Sequence, residues 1–372
     1  MRIAHVSDCY APRTGGIETQ VAALAARQQV AGDEVRVITA TPGRMVFAGD
    51  DEVDRIAVHR VSAHLPFELP VHPRTGREVG RVLDAHPVDI VHVHAGVVSP
   101  FAWGAIRAAR RRGIPTLVTV HSVWGPLARP GFAASDTLVR WSRWGAALSA
   151  VSQVAARRIE SALPRVGEVL VVPNGIDPAE WSVSAEGADP AVLRVVSVLR
   201  MAPRKRVLPL VRMVQAAAAD LAGSVRVEAV LIGDGPERAR AQRFAQGRVG
   251  SIEFAGRLPR ERILGVFGRS DVFVQPSVKE SFGLAALEAR TAGLPVIARS
   301  QTGTTEFIHD GVEGLLADDD AGMARAIARL GRDRPLLDAM AGRNAAVQPA
   351  QAWPSVLAIV REAYARAGAG VH

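Results

Sequence analysis

Two doubly wound α/β domains facing each other across a cleft are the architecture this sequence predicts, on three observations. Strand-like apolar runs alternate with helical stretches over units of about 25–40 residues in both halves, the pattern of parallel sheets covered by helices on both faces. Between the halves lies Pro173 to Pro190, rich in Gly, Pro, Asp and Ser, which reads as the hinge. The chain has 372 residues, long for one core and comfortable for two. The expected domains are 1–178 and 179–352, followed by a final helix within 353–372.

Bulk properties narrow the class. Hydrophobic residues make up 48% of the chain, yet no apolar run approaches the ~20 residues of a membrane span. Cys9 is the single cysteine, so no disulfide can form within the chain, and a reducing cytoplasm is the expected location. The net charge of +8 suits nucleic acid, an anionic membrane or an anionic small substrate. Aromatics are only 5% and no nucleic-acid-binding motif is visible, so no nucleic-acid partner is expected. Of the 45 cations only Lys205 and Lys279 are lysine.

In the first half, strand-like runs fall near 3–7, 35–39, 56–61, 89–93, 116–120, 148–151 and 169–172. After the first run, Gly15 and Gly16 precede a helix expected over Ile17–Ala31; paired glycines there permit close backbone approach to an anion at the helix start. Val21, Leu24 and Ala25 form that helix's core face. Cys9 reads as a bystander thiol, and Asp50–Asp54 as an acidic solvated loop. His92 and His94 share one face of a strand, so a metal pair is conceivable, but no third ligand is evident and strand-end packing is favoured. His121 ends the apolar strand Thr116–Val120. Between Phe101 and Leu148 the chain mixes Trp103, Trp124, Trp141 and Trp144 with Arg107, Arg110, Arg111, Arg112, Arg129, Arg140 and Arg143, either core tryptophans with solvated arginines or an edge seated at a membrane interface.

In the second half the runs fall near 194–199, 226–232, 251–254, 271–274, 294–298 and 314–317. Arg200 and Lys205, five apart after the first of these, can converge on one diphosphate, one as a fork and one as a point charge. Leu231–Pro236 resembles the start of a dinucleotide fingerprint, but Arg238 stands where the third glycine would be; a tight turn with Pro236 opening the next helix is expected. The stretch Pro276–Ala298 reads as loop, amphipathic helix and buried strand. Phe282, Gly283 and Leu284 open the helix, with Glu280 before it and Glu288 more than one turn inside. Unpaired N–H groups at the helix start favour a phosphate, and an ionised carboxylate on each side can chelate hydroxyls. Asp318–Asp320 precede a helix and read as its cap, not as metal ligands.

Two glutamates eight positions apart around Phe282–Gly283 resemble the donor site of glycosyltransferase family 4, retaining enzymes of the GT-B fold. Arg200 and Lys205, Thr302–Ile308 and Asp310–Leu316 are similar to that family as well. The resemblance implies a nucleoside-diphosphate-sugar donor: Arg200 and Lys205 on the diphosphate, Glu280 on the transferred sugar, Glu288 on the ribose, and Arg257 with Leu258 beside the base. It places Gly15 and Gly16 near the diphosphate, His121 close to the sugar, the acceptor on the first domain, and the helix of 353–372 crossing back onto that domain. The family usually has Gly before the arginine and after the lysine; this chain has Leu199 and Arg206, so the loop is expected to be stiffer or differently shaped, with Arg206 as a third positive charge.

The implied function is retaining transfer of a sugar, from a UDP-sugar in first place and a GDP-sugar in second, to a hydroxyl of a lipid-linked, glycan or small-molecule acceptor. Catalytic roles are expected of Glu280, His121, Arg200 and Lys205, with no metal and no further cofactor. Peripheral contact with the inner face of a membrane is the expected consequence of a lipid-linked acceptor. A nucleotide-sugar epimerase of the same fold and a silent nucleotide-binding homologue stay open as alternatives. A pyridoxal-phosphate phosphorylase is disfavoured, since neither lysine sits at an obvious Schiff-base position.

Overall fold

The computed structural model describes residues 1–13, 15–64, 72–96, 99–122, 145–163, 167–183, 189–247 and 250–368. The chain divides into two compact units, Met1–Gly175 with Trp353–His372, and Ile176–Ala352. The division falls at Gly175, near the start of the expected hinge and three residues before the expected boundary at 178.

In the first unit the described elements are β1 (Arg2–Ser7), α1 (Gly16–Val30), β2 (Glu34–Thr39), β3 (Gly49–Val53), β4 (Ile56–Arg60), α2 (Thr75–Ala85), β5 (Ile90–Ala95), α3 (Pro100–Arg110), β6 (Thr116–Val120), β7 (Ala147–Ala150), α4 (Gln153–Ala162) and β8 (Leu170–Val171). The sheet runs β3-β4-β2-β1-β5-β6-β7-β8 and is parallel except for the β3–β4 pair. Its strands are covered on both faces, which is why they read as near-continuous apolar runs. The final helix, α11 once the second unit's are numbered (Trp353–Arg366), adds Val356, Val360 and Tyr364 to the core formed by Ile3, Val21, Leu24 and Ile90.

The acidic stretch is not a loop. Asp50–Val53 belong to β3, an edge strand antiparallel to β4, in which Asp50 faces His59 and Asp51 faces Val58. Its carboxylates are matched by neighbours: Asp50 accepts from Arg36 and lies 2.9 Å from His59 Nδ1, and Asp51 accepts from the buried Arg60 at 2.6 Å. Charges on an edge strand also discourage pairing with other chains.

The second unit comprises β9 (Val192–Val198), α5 (Val207–Asp220), β10 (Arg226–Ile232), α6 (Arg238–Ala245), β11 (Ser251–Gly256), α7 (Arg260–Phe267), β12 (Val272–Val274), α8 (Leu284–Thr291), β13 (Val296–Arg299), β14 (Gly314–Ala317), α9 (Asp320–Arg332) and α10 (Arg334–Ala346). Its sheet order is β11-β10-β9-β12-β13-β14, all parallel. Counted from β9 this is the 3-2-1-4-5-6 order of the doubly wound fold, whose direction of winding reverses between β9 and β12. Asp319 caps α9 by accepting from the Gly322 amide at 2.6 Å, as expected of the acidic run. Pro236 does not open a helix: α6 starts at Arg238 with Glu237 as its cap. Gly233 and Gly235 form the tight turn, and a Cβ on either would strike the carbonyl of Leu199 or Met201, so this turn braces the loop after β9.

Candidate functional site

In a doubly wound sheet, ligands bind outside the carboxyl ends of the strands where the winding reverses. From β9 the chain leaves through Leu199–Arg206 and from β12 through Gln275–Gly283, so both loops emerge at that edge of the second unit. They meet there. Lys205 Nζ donates to Glu280 Oε2 at 2.6 Å, and Gln275 Nε2 donates to the same oxygen at 3.1 Å. Gln275 and Ser277 are buried, and Gln275 Oε1 and Ser277 Oγ have no hydrogen-bond partner among the described residues.

The glutamate loop is clamped from behind. Gly303 donates its amide to the Glu280 carbonyl at 2.9 Å, and a Cβ on Gly303 would lie 2.0 Å from the Ser281 carbonyl oxygen. Gly283 turns the chain into α8 in the left-handed region, φ 96°, which a side chain would resist. Phe282 is fully buried with its ring 5.4 Å from that of Phe307, so its side chain anchors the turn and leaves only backbone toward a ligand. Leu284 is the first residue of α8. Glu288 lies one turn further in; burial raises its carboxyl to about 7, against the opposing pull of Arg260.

Arg200 and Lys205 occupy the same loop, anchored by the buried Met201. Arg200 is exposed. Arg206 does not add a third charge beside them. It adopts the left-handed conformation, φ 65°, and donates to Asp320 Oδ2 at 2.5 Å, at the start of α9. That backbone conformation explains why glycine suits this position in the resembled family. Arg257 is exposed and Leu258 half-buried after β11, in a loop tied to the β10 turn by the Gly233 amide donating to the Gly256 carbonyl. The other lysine, Lys279, is exposed.

In the first unit Gly15 caps α1 and Gly16 is its first residue. The Glu18 carboxylate lies over Gly15, 2.5 Å from where a Cβ would stand, so this helix start already faces a carboxylate of its own. Nearby, burial raises the Asp8 carboxyl to about 6, against hydrogen bonds from Ser99 and the first amides of α3. Burial also raises the Cys9 thiol, consistent with an unreactive role.

The histidines differ from expectation. His92 and His94 lie inside β5, fully buried, not at a strand end. A third imidazole is present: His5 on β1 is in register with His92. His5, His92 and His94 are the one described His/Cys/Asp/Glu group compact enough for a metal ion. Their ring nitrogens are already engaged, by each other and by Gln28, Tyr364, Thr119 and His121. His121 follows β6, with Nε2 3.0 Å from His94 Nδ1, and burial lowers it to about 4. Beside this group lies a cavity of about 20 Å³, room for one water, lined by His92, His94, Thr119, His121, Asn174 and Trp353 among others.

Of the tryptophan–arginine region, Trp124, Trp141, Trp144, Arg129, Arg140 and Arg143 lie outside the described residues. Trp103 packs against the apolar core, and Arg112 pairs with Asp84 at 2.6 Å. Among the described residues no helix is long and apolar enough to cross a membrane.

Comparison with known proteins agrees with this fold. The family model described as Glycosyltransferase Family 4 matches residues 14–180, and that described as Glycosyl transferases group 1 matches 192–333. The chain belongs to glycosyltransferase family 4 and is a glycosyltransferase of the GT-B fold. It is 28% identical over 377 residues to a GDP-mannose-dependent alpha-mannosyltransferase of Mycolicibacterium smegmatis, covering 96% of this chain and 95% of that one. It is 27% identical over 332 residues to the GDP-mannose-dependent alpha-(1-6)-phosphatidylinositol dimannoside mannosyltransferase of Mycobacterium tuberculosis, covering 83% and 82%. Among solved structures it is similar to Anabaena Alr3699/HepE in complex with UDP, with a TM-score of 0.74 at 19% identity, covering 99% of this chain and 100% of that one.

Proposed function

We propose that this glycosyltransferase moves a sugar, with retention at the anomeric carbon, from a nucleoside-diphosphate sugar to a hydroxyl of a lipid-linked acceptor. GDP-mannose is the first donor to test, because relatives matching 96% and 83% of the chain carry that dependence in their names; UDP-sugars, favoured on sequence, come second. The acceptor proposal draws on the phosphatidylinositol in the names of two relatives, and it implies contact with a membrane face.

The observation that carries the reading is the Lys205–Glu280 contact at the reversal of winding in the second sheet. A cation for the diphosphate and a carboxylate for the sugar stand side by side there, just before the start of α8. As the anomeric C–O bond breaks, charge grows on the leaving diphosphate, and Arg200, Lys205 and the amides of α8 stabilise it without a metal. The acceptor oxygen attacks from the face the leaving group vacates, and its proton passes to the departing phosphate oxygen. Glu288 chelates the ribose hydroxyls and Glu280 a hydroxyl of the sugar.

Thermal shift and slow donor hydrolysis across a panel of GDP-, UDP- and ADP-sugars test the assignment. The expected result is stabilisation and hydrolysis with GDP-mannose, without interconversion of sugars in the absence of acceptor. Interconversion without acceptor would make the chain an epimerase, and binding without turnover a silent homologue.

A further inference from the structure

Polar side chains at the junction of β1, β5 and β6 form a continuous hydrogen-bonded chain, and each link can be given a direction. The Gln28 amide nitrogen donates to Tyr364 Oη at 3.0 Å, which leaves its carbonyl oxygen facing His5 Nε2 at 2.6 Å. A carbonyl oxygen only accepts, so His5 Nε2 carries a proton. Burial holds His5 neutral, lowered to about 4, so its Nδ1 bears a lone pair and accepts from His94 Nε2 at 2.9 Å. The same step repeats outward: His94, also kept neutral by burial, accepts at Nδ1 from His121 Nε2 at 3.0 Å. The other arm keeps the same sense, from Tyr364 to His92 Nδ1 at 2.9 Å, from His92 Nε2 to Thr119 Oγ1 at 2.7 Å, and from Thr119 to Ser149 at 2.7 Å.

We propose that this one-directional chain fixes His121 as its Nε2–H tautomer with the lone pair on Nδ1, and that Gln28, His5 and His94 are positioning residues for it. A polar Gln28 at 2% exposure on the core face of α1, and a trio of imidazoles inside a parallel sheet, are costly unless every member is satisfied. Full satisfaction in one direction accounts for both. A metal among His5, His92 and His94 would have to break these bonds and leave a dication among neutral groups. The consequence for catalysis rests on the placement of His121 close to the sugar that the family resemblance implies: Nδ1 then carries no proton and cannot donate to a sugar hydroxyl.

Long-range proton–nitrogen correlation spectra of histidine-labelled free protein test the tautomer without any substrate, so a wrong placement of the sugar would not affect them. The resonance of His121 is assigned by its loss in His121→Gln. The expected signature is a pyrrole-type Nε2 and a pyridine-type Nδ1. In Gln28→Met the direction is lost and the second tautomer of His121 appears. Ser149→Ala removes a hydroxyl from the far end of the other arm but leaves Gln28 between His5 and Tyr364, so the single tautomer persists. With donor and acceptor, Gln28→Met should lower kcat about tenfold at unchanged affinity for free nucleotide. A protonated Nδ1 in the wild-type protein, or identical behaviour of the two variants, would overturn the proposal.

Discussion

Lys205 and Glu280 are joined at 2.6 Å between the loops that leave β9 and β12, so in the free protein the cation proposed for the diphosphate is held by the carboxylate proposed for the sugar. A donor must separate them, and each then gains a ligand of opposite character. Lys205→Ala should therefore weaken GDP binding by about 1–3 kcal/mol, the range for losing hydrogen bonds to a charged group, as read by titration calorimetry. Unchanged affinity would remove Lys205 from the diphosphate site.

Binding should also depend on pH through Glu288. Its carboxyl, raised to about 7 by burial, must be ionised to act purely as an acceptor for two ribose hydroxyls. Nucleotide binding then releases a proton below pH 7, so GDP affinity should rise between pH 6 and 7 and level off above. Calorimetry in buffers of different ionisation enthalpy reads the proton directly, and Glu288→Gln should abolish the dependence. A flat profile in the wild-type protein would contradict this.

The two units should respond to acid with opposite sign. In the first, His5, His92, His94 and His121 are held below the usual histidine value, so their unfolded forms bind protons that the folded forms do not. Stability falls as pH drops from about 6.5 toward 4, with Asp8, raised to about 6, offsetting one proton. A net of three protons corresponds to a slope of about 4 kcal/mol per pH unit in mid-window. In the second unit the raised Glu288 binds a proton on folding, so between pH 7 and 4.5 acid relieves a cost of up to about 3 kcal/mol. Hydrogen exchange at pH 7 and pH 5, resolved by unit, should show the first unit loosening at pH 5 and the second holding. Uniform loosening would mean that these shifts do not control stability.

Metal should be dispensable. Arg200, Lys205 and the start of α8 provide the positive charge for the leaving group, so transfer should persist in excess chelator. Loss of activity restored by magnesium or manganese would contradict the proposal.

The fold was legible because strands covered on both faces announce themselves as apolar runs, and nearly every such run became a strand. The edge strand β3 was not, since Gly49-Asp50-Asp51-Glu52-Val53 has neither β-branched density nor alternation; it is held by pairing to β4 and by Arg36, His59 and Arg60. The glutamates, Arg200 and Lys205 were legible by spacing and by resemblance to a family. Gln275 was missed because an isolated glutamine after a strand carries no signal. The histidine chain was half seen: period two put His92 and His94 on one face, but Gln28 meets its partners His5 and Tyr364 from 23 and 336 positions away, distances at which a single sequence is silent. Arg206 was misjudged because its left-handed backbone and its bond to Asp320 are properties of the fold.

The central claim is that α8 separates two carboxylates with different tasks, and one paired measurement tests it. Glu288 should touch the ribose, a contact equal in free nucleotide and transition state, whereas Glu280 should touch the sugar, where binding tightens as the ring flattens. Calorimetry with GDP beside saturation kinetics with donor, on Glu288→Ala and Glu280→Ala, reads both. The account predicts GDP binding weakened by about 1–3 kcal/mol in Glu288→Ala. For Glu280→Ala it predicts affinity equal or tighter, because Lys205 is released, with turnover lower by roughly one to three orders of magnitude. Loss of GDP binding in Glu280→Ala, or none in Glu288→Ala, would contradict it.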